Sequence, residues 1–334
     1  MYNVMKARNI LIALCALLSL SSCRVEPSPE AKTTVGKDYQ VLVICDDDAW
    51  SGELSMAVCD LLEQDIPGLV RPESRFDIVK QVSSKEATDA DKRHGILLVI
   101  KLIPSNEAPS YKLTEDMYAH PQLILTITAS NAEQAVQYIN SHATELRDIM
   151  AASEREEYLA GAQRKAAKQL MEDFEKATGY SMLIPANFSK ANPADESLTW
   201  YIRDYKNKAQ YIFAFKTEYN VDTTIGAESA TIVNAINAKF NSIASKDVTG
   251  SYMQIDKYRP IAADVIDING TTMLELRGCW EVAHDYMGGS FTSYTIFDPA
   301  TYTATVIVFA LYAPEDAHRN LMHEMESLIY TLGK

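Results

Sequence analysis

Residues 261–312 read IAADVIDINGTTMLELRGCWEVAHDYMGGSFTSYTIFDPATYTATVIVFALY, and the fold depends on how this run is parsed. Asn269-Gly270 stands between two strand-prone segments. Both residues accept positive φ, so the pair predicts a type I′ hairpin turn whose twist matches its flanking strands. Beyond it, Leu274, Leu276, Gly278, Trp280 and Val282 alternate with Glu275, Arg277, Cys279 and Glu281. A period of two puts the apolar set on one face and the Glu-Arg-Glu row on the other. A third strand over Ser290–Phe297 turns through Asp298-Pro299. The fourth, Tyr302–Tyr312, is apolar at both parities and is expected at the centre of a sheet covered on both sides.

Working outward, a helical stripe of Ile232, Val233, Ile236, Phe240 and Ile243 lies upstream of this meander. Before that, Trp200–Arg203 and Gln210–Phe215 form a hairpin around Lys206-Asn207-Lys208. Downstream, Pro314 is expected to open a last helix with Leu321, Met325, Leu328 and Leu332 inward. Antiparallel strands with inserted and appended helices predict an α+β class. The order is similar to the PsbP/Mog1 arrangement, a likeness of fold only.

The N-terminal half has a different rhythm. Tyr39–Cys45 reads as a buried strand, followed by Asp46-Asp47-Asp48 and a helix over 51–64. The acids suit helix capping; a Mg²⁺ or phosphoryl site would use the same residues. Phe76–Val82, Gly95–Ile103 and Pro121–Thr128 read as strands. Ser130-Asn131-Ala132-Glu133 and Ser153-Glu154-Arg155-Glu156 read as capping boxes opening two helices, the second running to Gly179. The expected organisation is an α/β-type domain over 38–152, a connecting helix over 153–179 and an antiparallel α+β domain over 180–334.

Residues 1–22 read as a lipoprotein signal peptide. Lys6 and Arg8 precede an apolar run from Ile10 to Leu20, too short to span a bilayer. Leu20-Ser21-Ser22-Cys23 resembles a bacterial lipobox, which predicts acylation at Cys23 and a membrane anchor, in the outer membrane by expectation. Residues 23–37 read as a tether. The whole chain carries a net charge of -14, and losing residues 1–22 removes two bases and no acid. Nucleic-acid partners are excluded on that balance, because they need clustered Lys or Arg. Of the remaining cysteines, Cys45 and Cys59 could pair, or all three with Cys279 could be buried thiols.

The residues most suggestive of chemistry are Glu275, Arg277 and Glu281, with Trp280 beside them and His284 and Asp285 in the following turn. Arg277 between carboxylates makes a fork for an anion or a sugar, and a Glu/His pair suits acid–base work. The plainer reading is a solvated strand face with cross-strand ion pairs. No metal-ligand spacing, nucleophile elbow or nucleotide-binding glycine pattern occurs, so neither metal nor cofactor is expected.

Several separated segments then look familiar together: Val41–Asp46 with Trp50 and Gly52, Pro121-Gln122-Leu123-Ile124, Gly250-Ser251-Tyr252-Met253, Arg277-Gly278 with Trp280, Met287-Gly288-Gly289 and Tyr312-Ala313-Pro314. They resemble a family of Bacteroidetes lipoproteins known only as a domain of unknown function (DUF4837-like), over roughly Asp38 to Leu332. Cys279 stands where the resemblance leads one to expect a larger apolar residue. The resemblance implies an envelope location and no catalytic residue. The resulting expectation is a lipid-anchored, non-enzymatic envelope protein that binds a small ligand or envelope protein through the 275–291 region. The competing readings are a periplasmic hydrolase using Glu275, Glu281, His284 or Asp285, and a structural subunit of an envelope assembly.

Overall fold

The computed structural model describes residues 32–50, 52–219 and 225–333. The segment carrying Cys23 and the apolar run before it lies outside them. Among the described residues no helix is long and apolar enough to cross a membrane.

The N-terminal body is a five-stranded sheet built from β1 (Gln40–Ile44), β2 (Asp77–Val82), β3 (Ile96–Leu102), β4 (Ser110–Glu115) and β5 (Leu123–Ala129), in the order β2-β1-β3-β5-β4. The first four in that order run parallel and β4 closes the edge antiparallel. The short apolar runs of β1 and β3 are buried end to end because the sheet is covered on both faces. β4 has no counterpart in the sequence reading: its polar composition, SYKLTE, hid an edge strand.

Helices α1 (Glu53–Leu62), α2 (Ala132–Ser141) and α3 (Ala143–Gln163) pack on this sheet. The capping box before α2 is shifted by one residue from expectation. Asn131 Oδ1 accepts the Gln134 N–H at 2.9 Å, and Gln134 Oε1 accepts the Ser130 N–H at 2.7 Å. The box expected at Ser153 does not form, since Ser153 lies inside α3. The three aspartates after β1 do not cap α1 either; they are exposed, and Asp47 accepts a bond from Gln81.

The single helix expected over 153–179 is broken. It ends at Gln163 and resumes as α4 (Lys168–Thr178). The cause is backbone pairing: Ala167 N–H bonds to Ile184 O, Ala186 N–H to Lys165 O, and Ala166 bridges Pro185. These tertiary bonds outweigh the helix propensity of the alanines. Gly179, at φ 82, terminates α4 as expected.

The C-terminal body is an eight-stranded antiparallel sheet comprising β6 (Ser189–Lys190), β7 (Thr199–Tyr205), β8 (Lys208–Glu218), β9 (Tyr252–Ile255), β10 (Ala262–Ile268), β11 (Thr271–Ala283), β12 (Gly288–Asp298) and β13 (Thr303–Tyr312). The order is β10-β11-β12-β13-β8-β7-β6, with β9 on β11. The meander is as read: Asn269 and Gly270 turn with φ of 54 and 76. β13 is central, with Ile307, Phe309 and Leu311 in one core and Val306, Val308 and Ala310 in another. Helix α5 (Ile225–Phe240) covers the second core; α4 and α6 (Arg319–Ile329) cover the first.

The chain from 314 to 318 is a turn, and α6 starts at Arg319 rather than near Pro314. Its cap comes from the other body. Glu73 takes the His318 N–H at 2.7 Å and the Arg319 N–H at 2.8 Å, filling two open donors at the positive end of the helix. Arg319 returns to Asp77 through both terminal nitrogens, at 2.9 and 2.8 Å. The same loop lies on β11: a Cβ at Gly68 would meet Gly278 N at 2.6 Å, and φ there is +79. Only glycine permits that approach.

Candidate functional site

The polar row of β11 is brought together in part. Arg277 donates to both Glu275 oxygens, Nε at 2.9 Å and Nη2 at 3.0 Å. Its Nη1 donates to Glu326 Oε1 of α6 at 2.6 Å and lies 3.4 Å from Thr292 Oγ1, which itself donates to Glu326. His323 Nδ1 is 2.9 Å from the second Glu326 oxygen, and its ring packs on Tyr39 at 4.6 Å. The row is therefore not a solvated strand face. α6 and the Gly68 loop roof it, leaving the Arg277 side chain 17% exposed and that of Glu326 7%.

Electrostatics fit an interior strut. Burial would raise the Glu326 carboxyl, but Arg277 and His323 outweigh it and hold the group well below the usual carboxylate range. Burial likewise opposes charge on Arg277, and Glu326 and Glu275 keep it protonated. With Nε, Nη1 and Nη2 all engaged, this fork is occupied by the protein itself.

The other residues read as a site are dispersed. Trp280 points to the opposite face, 3% exposed, and donates to Leu311 O at 3.2 Å. Glu281 shares the Arg277 parity but accepts from Gln254 at the β9 edge. His284, in a left-handed turn at φ 68, faces the Tyr252 ring. Asp285 bonds locally to Tyr286 N–H at 2.7 Å. Gly289 admits Leu311 O where a side chain would stand, so it serves close strand approach. Cys45, Cys59 and Cys279 are free, and Cys59 is only half-buried. Among the described residues no three metal-ligating side chains converge.

A cleft of about 720 Å³ opens elsewhere, between α3 and the C-terminal body. One wall is the α3 face Glu154, Glu157, Tyr158, Gly161 and Ala162, spaced by three or four residues as one helix side requires. The other is the Pro185–Asn187 turn, held to residues 165–167 just after α3 by the backbone bonds that broke the helix. Arg203 of β7 lines the cleft and is 9% exposed. Its Nη2 donates to Glu324 of α6 at 2.8 Å, but its Nε is buried with no partner. Among the described residues with a buried donor left open, Arg203 is the one that lines this cleft.

Two neighbours are perturbed. Burial pushes the Glu154 carboxyl up to about 7, against the pull of the Tyr39 N–H that it accepts at 3.1 Å. Burial, with Glu324, pushes the Tyr158 hydroxyl up to about 12. Shifted titratable groups gathered in a concavity are the physical signature of a site. A second hollow, of about 730 Å³ along 140–155, is more open and holds no such donor.

The sequence reading missed this cleft. Its one signal was parity: Arg203 occupies the same register as buried Tyr201, a cation where the strand pattern asks for an apolar residue.

No curated protein matches the chain. Among solved structures, LpqN, described as involved in cell envelope biogenesis of Mycobacterium tuberculosis, is similar at 11% identity with a TM-score of 0.29, over 46% of this chain and 83% of that one. A likeness at that level bears on neither fold nor function here. Family models divide the chain where the structure does, at the break between α3 and α4. Residues 34–163 match "Domain of unknown function (DUF8532)" and residues 167–331 match "Domain of unknown function (DUF4837)", so the resemblance to that domain of unknown function holds over the C-terminal body, and the N-terminal body matches a second domain of unknown function.

Proposed function

We propose that the chain is a cell-envelope lipoprotein, anchored in the outer membrane through acylated Cys23, whose folded body is a non-enzymatic module binding a small ligand or partner segment in the α3–Arg203 cleft. The observation that carries the binding half is the open Nε of a nine-tenths-buried arginine lining a cavity of about 720 Å³. A buried donor without a partner costs about 1–3 kcal/mol, a cost that a ligand oxygen would offset after a small rotation of the guanidinium. Arg277 does not compete for this role, because its donors are engaged within the protein. The anchor half rests on the Leu20–Cys23 lipobox. The roughly nine residues from Cys23 to Lys32 reach at most about 30 Å, so an acylated chain holds its body close to the bilayer.

The test is native mass spectrometry of the protein purified from its own envelope in mild detergent, as wild type, Cys23→Ser and Arg203→Gln. Wild type should carry both an acyl mass and a co-purifying ligand mass. Cys23→Ser should lose the first and Arg203→Gln the second. An acylated Cys23→Ser protein would refute the anchor, and an identical ligand mass on wild type and Arg203→Gln would refute the cleft.

A further inference from the structure

We infer that the loop joining β4 to β5, residues 116–122, seats Met117 and Tyr118 in the headgroup boundary of the bilayer that holds the anchor. This rests on the anchor reading above and adds how the folded body meets the membrane. The anchored chain enters the fold beside this loop. Lys32 O accepts the His120 N–H at 2.9 Å, and Thr33 bridges His120. Val35 then bridges His94, and its N–H bonds to Arg93 O at 2.9 Å. The chain thus comes in across the ends at which β3 and β5 begin. Its point of entry is hydrogen-bonded to the loop and lies, along roughly nine residues, no more than about 30 Å from Cys23.

Polar groups hold the loop from within. Asp116 Oδ1 takes the Gln122 N–H at 2.9 Å, and Asp116 Oδ2 lies 2.9 Å from His120 Nδ1. Buried Gln122 accepts the Tyr118 N–H at 3.0 Å and donates to Lys92 O and His94 O at 2.7 and 2.8 Å. Two large apolar side chains are left outside, Met117 at 61% and Tyr118 at 42% exposure. A lone exposed apolar side chain is ordinary; an adjacent pair on a braced loop, at the anchored end of the fold, is placed to touch the bilayer. Methionine is apolar and adaptable. A tyrosine ring suits the headgroup level, where one end of the ring is in an apolar medium and the other is wet. Two such residues are too few to hold an untethered protein on a membrane. Within reach of the anchor the contact is intramolecular, and a weak one suffices. The net charge of -14 opposes attraction to an anionic surface, so apolar insertion is the mode of contact.

Tryptophan quenching tests this, with the acylated protein purified from its own envelope and placed in phosphatidylcholine vesicles whose acyl chains carry bromine. Tyr118→Trp puts the reporter in the loop. Ile103→Trp puts it at an exposed site past the far end of β3, about 20 Å away along seven residues. Measured against wild type, Tyr118→Trp should lose fluorescence on moving from plain to brominated lipid, and Ile103→Trp should not. Adding Met117→Asp to Tyr118→Trp should restore the lost signal, because a charge is disfavoured out of water. Equal quenching at both sites, quenching that survives Met117→Asp, or a Tyr118→Trp signal indifferent to bromine each overturns the inference. In the last case a blue shift would mark a protein partner at the loop instead. If the purified chain carries no acyl group, the anchor reading fails by itself. The loop is then read in the same variants with a histidine tag in place of Cys23, held on nickel-chelating lipid. The same pattern of quenching is expected there, and its absence overturns the inference.

Discussion

Arg277 and Arg203 stand on strands of one sheet, and each reaches a glutamate of the same helix, Glu326 and Glu324. Arg277 has Nε, Nη1 and Nη2 engaged, two of them on a second carboxylate, under a roof supplied by the other body. Arg203 pairs with a glutamate side chain still 29% exposed, keeps one buried donor open and borders a cavity. Charge between carboxylates in the sequence pointed to the first. The structure shows that such a pattern can be self-satisfying, and that the arginine with a donor left open is the other one.

The sharpest way to break this contrast is Arg277→Ala. It would leave Glu326 buried with only His323 and Thr292 as partners, and Glu275 without its fork. Removing one partner of a buried pair costs about 3–5 kcal/mol, so urea unfolding should show a loss of that size. A loss under about 1 kcal/mol would mean that the network is solvated and that Arg277 is free to act as a site.

On the cleft side the sign reverses. Glu154 is a half-buried carboxyl, facing Asp38, Glu157, Arg319 and the Tyr39 N–H. Its folded pKa lies at about 7 against 4.5 for the ordinary group. Between those values the folded protein holds a proton that the unfolded chain has released, so stability falls as pH rises through the window. At 1.36 kcal/mol per unit, the loss approaches about 3 kcal/mol above pH 7. Glu154→Gln keeps an oxygen for the Tyr39 N–H and has no proton to lose. It should therefore melt above wild type at pH 8 and level with it at pH 4. Parallel melting curves at both pH values would remove Glu154 from the perturbed set.

How much was legible follows from the range of the interactions. The Asn269-Gly270 turn and the two-faced burial of β13 are set by neighbours in sequence, and the period-two pattern carries them. Glu73 capping α6 and Gly68 lying on β11 join residues about two hundred and more apart. Nothing local distinguishes Glu73 from any other loop acid, so the roof over Arg277, and with it the true character of the polar row, stayed hidden. The cleft was hidden for a related reason. Glu154 read as part of a capping box because Ser153-Glu154 fits one, while the alternative, a bond to Tyr39 from within an uninterrupted α3, exists only once the bodies are assembled.

The smallest expected effect is also the most discriminating. Arg203→Gln removes the pair to Glu324, but that carboxylate retains contact with water and with Gln210 Nε2. A partly exposed ion pair contributes up to about 1 kcal/mol, and the substitution also deletes the open Nε, which offsets part of that loss. The variant should therefore unfold within about 1 kcal/mol of wild type, measured in urea at neutral pH. A cost of several kcal/mol would make Arg203 a second strut and erase the distinction between the two arginines. A near-neutral result, set beside a large loss at Arg277, would show that the sheet depends on one arginine for cohesion and not on the other.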